Sequence, residues 1–210
     1  AWALVWGALD QLTIVFWNDV ADEELDRGQR EGSLVSGGSR VLVEGKLEAS
    51  QLRRAAWLAT IGLCGWSLLA SALQGAWLLP SCALAALGLL WAYSFSPLRA
   101  SYRDGGAALQ AVGMGVVLPL VGWQLQGGNL GELFTARVGP WPVPSWFLPG
   151  VAMAWIGNWL TALPDLESDD AGGKRTRPVR VGASRCAIEA LAALALVGAG
   201  VAALLREWDL

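Results

Sequence analysis

Six long apolar runs, separated by charged or Gly- and Pro-rich sequence, leave this chain few ways to fold. They cover about 1–17, 54–79, 81–95, 105–125, 145–163 and 184–205. A helix that spans a bilayer needs roughly 20 consecutive apolar residues, and these runs approach or reach that length. Inside a bilayer every backbone N–H and C=O must be paired within the protein, which a helix achieves on its own. The pattern therefore predicts an all-α, polytopic transmembrane bundle of about six spans, forming a single domain. Only 16% of the 210 residues are charged, below the share a soluble domain carries. The run at 81–95 is short. It follows its predecessor through Pro80, which predicts a tight turn there.

Charge placement tests this topology. Six spans put segments 18–53, 96–104 and 164–183 on one side. Thirteen of the fifteen Lys and Arg fall there or at the adjoining helix starts; only Arg137 and Arg206 fall on the other side. This asymmetry assigns the first side to the cytoplasm. The formal net charge of −3 says little about partners, and nothing in the pattern fits nucleic-acid binding. The chain has no histidine, which removes His-based zinc sites and Ser-His-Asp hydrolysis. Cys64, Cys82 and Cys186 sit singly in apolar runs and read as small buried residues.

Two acidic clusters stand out against this background. Asn18, Asp19, Asp22 and Asp26 occur in NDVADEELD, directly after the first apolar run. Asp165 and Asp169 occur in DLESDD, after the fifth. The topology places both on the same side. On a helix, Asp19, Asp22 and Asp26 fall at i, i+3 and i+7 and share a face. Neighbouring carboxylates at about 5.5 Å repel by roughly 3 kcal/mol at an effective dielectric of about 20. A hard divalent cation relieves that repulsion and keeps open positions for phosphate oxygens. Asp165 and Asp169, at i and i+4, would supply the other side of a metal–diphosphate clamp. A solvated acidic loop explains either cluster alone, but explains both on one side less well.

Basic segments lie on the same side. In YSFSPLRASYRDGG, Arg99 and Arg103 are four apart and suited to diphosphate oxygens, beside Tyr93 and Tyr102, the only tyrosines. In AGGKRTRPVRVG, Lys174 and Arg175 can meet a leaving group's charge. Positive-inside anchoring is the plainer explanation of both. Thirteen tryptophans read mostly as an interfacial belt. Trp155 and Trp159, at i and i+4 near the second cluster, are the best candidates for stabilising a carbocation through their ring faces. Asp10 lies within the first apolar run, and a carboxylate there is a functional candidate by default; it can orient or deprotonate an acceptor, or simply pair within the bundle. Asn158 and Gln110 are weaker cases of the same kind.

NDVADEELD matches the NDxxDxxxD motif of the UbiA superfamily of intramembrane prenyltransferases at every defined position. DLESD matches that family's second motif, DxxxD, and runs on into GKRTRPVRVG as the family does. YSFSPLRASYR resembles the YxxPP-type segment between them. GGSRVLVEGKL and LPDLESDDAGGKRT resemble the menaquinone-type branch, whose acceptor is 1,4-dihydroxy-2-naphthoate. The resemblance covers almost the whole chain. It implies an Mg²⁺-dependent transfer of a polyprenyl group from a polyprenyl diphosphate to an aromatic acceptor. It also implies a bacterial cytoplasmic membrane location, with the Asp motifs on the cytoplasmic side. Carried over, Asp19, Asp22, Asp26, Asp165 and Asp169 bind metal and act in catalysis. Asn18, Tyr93, Arg99, Arg103, Lys174 and Arg175 bind substrate. Family members commonly have nine spans, so one before residue 1 and about two after residue 210 are expected. The family's Tyr-to-Lys segment here carries Arg99, Ser101 and Arg103 and no Lys. Chlorophyllide, haem or a carotenoid end are alternative acceptors. A membrane cation-binding or transport protein is the alternative from another class, although transporters place ionic groups near the midplane rather than at helix ends.

Overall fold

The computed structural model describes residues 1–28, 41–138 and 141–206, without the side chains of 25–28 and 138. The Gly-rich stretch at 29–40, with its Arg30 and Arg40, therefore lies outside the described residues, as does Trp208. The first apolar run and the motif after it form one continuous helix, α1 (Trp2–Gly28). Helix α2 (Ala49–Gln74) starts on a capping box, in which the Glu48 N–H donates to Gln51 Oε1 at 2.9 Å. It stops at Gly75, whose φ of 69° suits glycine. The turn to α3 (Leu79–Ser94) is thus made at Gly75, not at Pro80. Pro80 sits in the first turn of α3, where a missing N–H costs no helical bond.

The fourth run is a compound helix. Helix α4 (Gly106–Val112) passes through a π-helical segment (Gly113–Val117) into α5 (Leu118–Leu125). Pro119 explains the defect, because its ring nitrogen cannot donate back to residue 115; the Leu118 N–H reaches instead to the Gly113 carbonyl. After this come α6 (Leu130–Thr135), capped by the Asn129 side chain, and a two-strand ribbon pairing β1 (Arg137–Val138) with β2 (Trp141–Pro142). The segment at 126–144, expected as turns, holds both. Helices α7 (Phe147–Thr161), α8 (Leu166–Ala171), α9 (Arg177–Val181) and α10 (Ala183–Arg206) complete the chain.

The fold is all-α in class, with helices at all six apolar runs. Among the described residues three helices are long and apolar enough to cross a membrane: Ala49–Gln74, Gly106–Leu125 and Ala183–Arg206. Helices α3 and α7, with 16 and 15 residues, reach only about 24 Å at 1.5 Å per residue, short of a hydrocarbon core of about 30 Å. Both are cut short ahead of a proline, Pro97 and Pro164.

Tryptophans zip α1 to α2 in antiparallel fashion. Trp6 Nε1 donates to Ser67 Oγ at 2.9 Å, Trp17 Nε1 to Thr60 Oγ1 at 3.1 Å, and Trp66 Nε1 to the Trp2 carbonyl at 3.1 Å. Of these, Trp6 is buried in the core and Trp66 packs against it. Trp6, Leu63, Leu79, Ala83, Val117 and Val121 form the buried centre where α1, α2, α3 and α5 meet. Helix α7 crosses the π-helical segment closely, since a methyl on Gly115 would fall on the Val151 backbone. Large apolar side chains such as Leu4, Ile188 and Leu196 face outward, as they do in a protein surrounded by lipid.

Candidate functional site

Since α1 runs unbroken through the first acidic cluster, Asn18 and Asp22 stand one turn apart on one face. Ser94, the last residue of α3, holds Asn18 by donating from Oγ to Asn18 Oδ1 at 2.6 Å. Asp19 is buried on the adjacent face. Asp26 lies on α1, but its side chain is outside the described residues.

The second cluster folds back on itself. Asp165 precedes α8, and Asp169 lies on that helix, 4% exposed. Gly173 adopts a φ of 74°, which turns the chain so that the Lys174 N–H donates to the Asp169 carbonyl at 2.8 Å. Lys174 therefore lies over the cluster it follows.

The Lys174 ammonium joins the two clusters. Its Nζ is 3.0 Å from Asp22 Oδ2 on α1 and 3.8 Å from Asp169 Oδ1 on α8, with the side chain only 12% exposed. Thr176 Oγ1 donates to the other Asp169 oxygen at 3.1 Å. Burial pushes the Asp169 carboxyl up to about 6, against the opposing pull of Lys174 and Thr176; nearby Asp165 and Asp22 raise it further. Burial by itself lowers the Lys174 ammonium, but Asp22 and Asp169 outweigh it and hold it above the ordinary lysine value. Tyr102 completes this face. Lys174 Nζ lies 5.4 Å from its ring centre and the Arg99 guanidinium carbon 3.9 Å, while Arg99 Nη2 donates to the Tyr102 hydroxyl at 3.1 Å.

Next to this polar cap lies a cavity of about 310 Å³ between α1, α3 and the α4–α5 helix. Trp6, Asp10, Ile14 and Asn18 line it from α1 at every fourth residue, and Asp22 is the next step of that stripe. Tyr93, Leu89 and Leu90 line it from α3, and Gln110, Gly113, Met114 and Val117 from the compound helix. Asn18 thus belongs to both the acidic cluster and the cavity wall. Asn158 on α7 donates from Nδ2 to Gln110 Oε1 at 2.9 Å and lies 3.5 Å from the Tyr93 hydroxyl.

A family model described as the UbiA prenyltransferase family matches residues 1–209. The chain belongs to the UbiA prenyltransferase family. As a UbiA member it is an integral membrane protein of a family that performs intramembrane prenyl transfer. Searches of curated proteins and of solved structures returned no match.

Within this UbiA chain the structure sorts the residues expected from sequence. Asp22, Asp169 and Lys174 meet directly, and Asn18 and Tyr93 reach the adjoining cavity. Of the five carboxylates expected as metal ligands, Asp26 lies outside the described side chains, and Asp19, Asp22, Asp165 and Asp169 are not gathered into one cage among the described residues. Among the described residues no group of three or more His, Cys, Asp or Glu is placed to hold a metal ion. Arg103 and Arg175 are exposed, and Arg99 is engaged with Tyr102. Trp155 and Trp159 do not line the cavity; Trp155 is 40% exposed, and Trp159 lies under the Arg177 guanidinium at 5.3 Å. Sequence reasoning gave no role to Tyr102, Ser94, Thr176 or the ion pair between Arg180 and Asp104. Only Tyr102 carried a signal, as one of two tyrosines in the chain.

Proposed function

We propose that this chain transfers a polyprenyl group from a polyprenyl diphosphate to an aromatic acceptor, with a quinone precursor such as a dihydroxynaphthoate as the favoured one. The supporting observation is the convergence of Asp22 and Asp169, from opposite ends of the sequence, on the single Lys174 ammonium beside a largely apolar cavity. The donors there are carboxylate oxygens, the set that suits Mg²⁺. Two carboxylates are also the usual protein share of an Mg²⁺ shell, the rest coming from substrate phosphates and water. Asp22 and Asp169 would hold the ion, with Asp19, Asp26 and Asp165 in support. Bound there, Mg²⁺ supplies charge neutralisation for the departing diphosphate.

The chain's own groups then divide the work. Lys174, shielded from water, would offer fixed positive charge to the diphosphate, and Arg99 and Arg103, both exposed, would add charge from the solvent side. Asn18, held by Ser94, fixes the boundary between polar cap and cavity. Tyr93 and Trp6 line the cavity and offer aromatic faces to an allylic cation. The apolar walls exclude water, which would otherwise capture the cation. The test uses membranes carrying the full-length protein, labelled polyprenyl diphosphates of several lengths, a panel of acceptors, and Mg²⁺ or EDTA. Prenylated product that requires Mg²⁺ supports the reading. Donor left intact with every acceptor, in protein that binds Mg²⁺, counts against it.

A further inference from the structure

Asp10 is the one carboxylate in the cavity wall, and the transfer chemistry above leaves it without work. It lies eight residues before Asn18 on α1, about 12 Å further into the bundle at 1.5 Å per residue. Among the described residues it has no hydrogen-bond or ion-pair partner, and no Lys or Arg lines the cavity beside it. A carboxylate so placed is costly unless something donates to it. An isoprenoid tail cannot, because it carries no hydrogen-bond donor. A second carboxylate would be repelled. A hydroxyl can, and Gln110 in the same wall has a complementary use for it. The Gln110 Oε1 is taken by Asn158 Nδ2, which leaves the Gln110 amide N–H groups to donate. One wall group accepts and the other donates, as a hydroxyl requires.

We infer that Asp10 selects the acceptor: its carboxylate accepts a hydrogen bond from a ring hydroxyl of the acceptor, deep in the cavity between α1, α3 and α4. The inference rests on the prenyl-transfer reading above and adds to it the group that the acceptor must carry. Asn158 is a positioning residue in this scheme, because it sets which way the Gln110 amide faces.

The test is equilibrium binding to the detergent-solubilised full-length protein. The probes are a dihydroxynaphthoate, its analogue lacking one ring hydroxyl, and a polyprenyl diphosphate with Mg²⁺. A hydrogen bond to a charged group is worth about tenfold or more in affinity. The wild-type protein should prefer the dihydroxy compound by about that factor. Asp10→Leu should erase the preference and leave diphosphate binding unchanged. Asp10→Asn, which keeps the shape and an acceptor oxygen, should retain part of it and guards against misfolding of the leucine variant. A preference that survives in Asp10→Leu overturns the assignment, as does weaker donor binding with acceptor binding intact. If the wild-type protein transfers prenyl groups to no acceptor at all, the reading beneath it fails and the assignment falls with it.

Discussion

Replacing Lys174 with methionine removes the charge that joins the two acidic motifs and keeps most of the side chain's bulk. Asp22 and Asp169 lie 3.0 and 3.8 Å from the same nitrogen, so their oxygens are within about 7 Å of each other. At that distance and an effective dielectric of about 20, two carboxylates repel by roughly 2 kcal/mol once the lysine is gone. Breaking a buried ion pair by deleting one partner costs about 3–5 kcal/mol. Asp22 is a quarter exposed, which screens its share, so a net loss of about 2–4 kcal/mol is expected in EDTA near pH 7.5. The assay is thermal or denaturant unfolding of the solubilised protein, with EDTA and then with Mg²⁺. Lys174→Met should unfold earlier than wild type in EDTA and recover most of the difference in Mg²⁺, since the ion supplies the missing positive charge. Identical unfolding of the two proteins in EDTA would refute the reasoning, and so would an equal Mg²⁺ effect on both.

Acidity gives a second check. The Asp169 carboxyl sits near 6 in the fold against an ordinary value of 3.8, so the folded state holds its proton more tightly. In EDTA this makes stability fall as pH rises from about 4 through about 6, by up to roughly 3 kcal/mol at about 1.4 kcal/mol per unit; Asp169→Asn should flatten the unfolding profile in that window. With Mg²⁺, metal and proton compete for the same carboxylate, and titration should show metal affinity dropping below pH about 6. Gly115→Ala should cost about 1–3 kcal/mol in the same unfolding assay, because its methyl meets the Val151 backbone, whereas Gly113→Ala, which meets only Leu89 at 3.6 Å, should not. Arg180→Ala breaks an ion pair with Asp104 that is more than a third exposed, and should cost less than about 1 kcal/mol.

Much of the bundle is legible in the sequence because apolar runs and acidic clusters are local signals. Runs near 20 residues locate all six main helices, and charge asymmetry puts both acidic motifs at one end, where Lys174 does meet Asp22 and Asp169. Helix ends are less legible. Pro80 reads as a turn by itself, but Gly75 with its left-handed backbone ends α2 first, and proline is welcome in the opening turn of α3. The π-helical segment before Pro119 leaves no mark on hydropathy, because its residues stay apolar. The site is harder still. The tie between Lys174 and Asp22 joins residues 152 apart in sequence, which no local pattern specifies. Arg99 has the right charge and spacing for a diphosphate, yet lies over Tyr102. Trp155 and Trp159 share a helix face near the acidic cluster, but helix rotation is set by packing against α4 and α10, and that face misses the cavity.

The central claim is that the two acidic motifs make one cation–diphosphate site. The most direct test is Mg²⁺-dependent binding of a labelled polyprenyl diphosphate to wild type, Asp22→Asn, Asp169→Asn and the double variant. If the motifs act as one site, each single change should abolish most of the binding and the double variant should lose little more, because the ion is already lost with either carboxylate. Wild-type binding in either single variant, or losses that simply add in the double, would contradict a shared site.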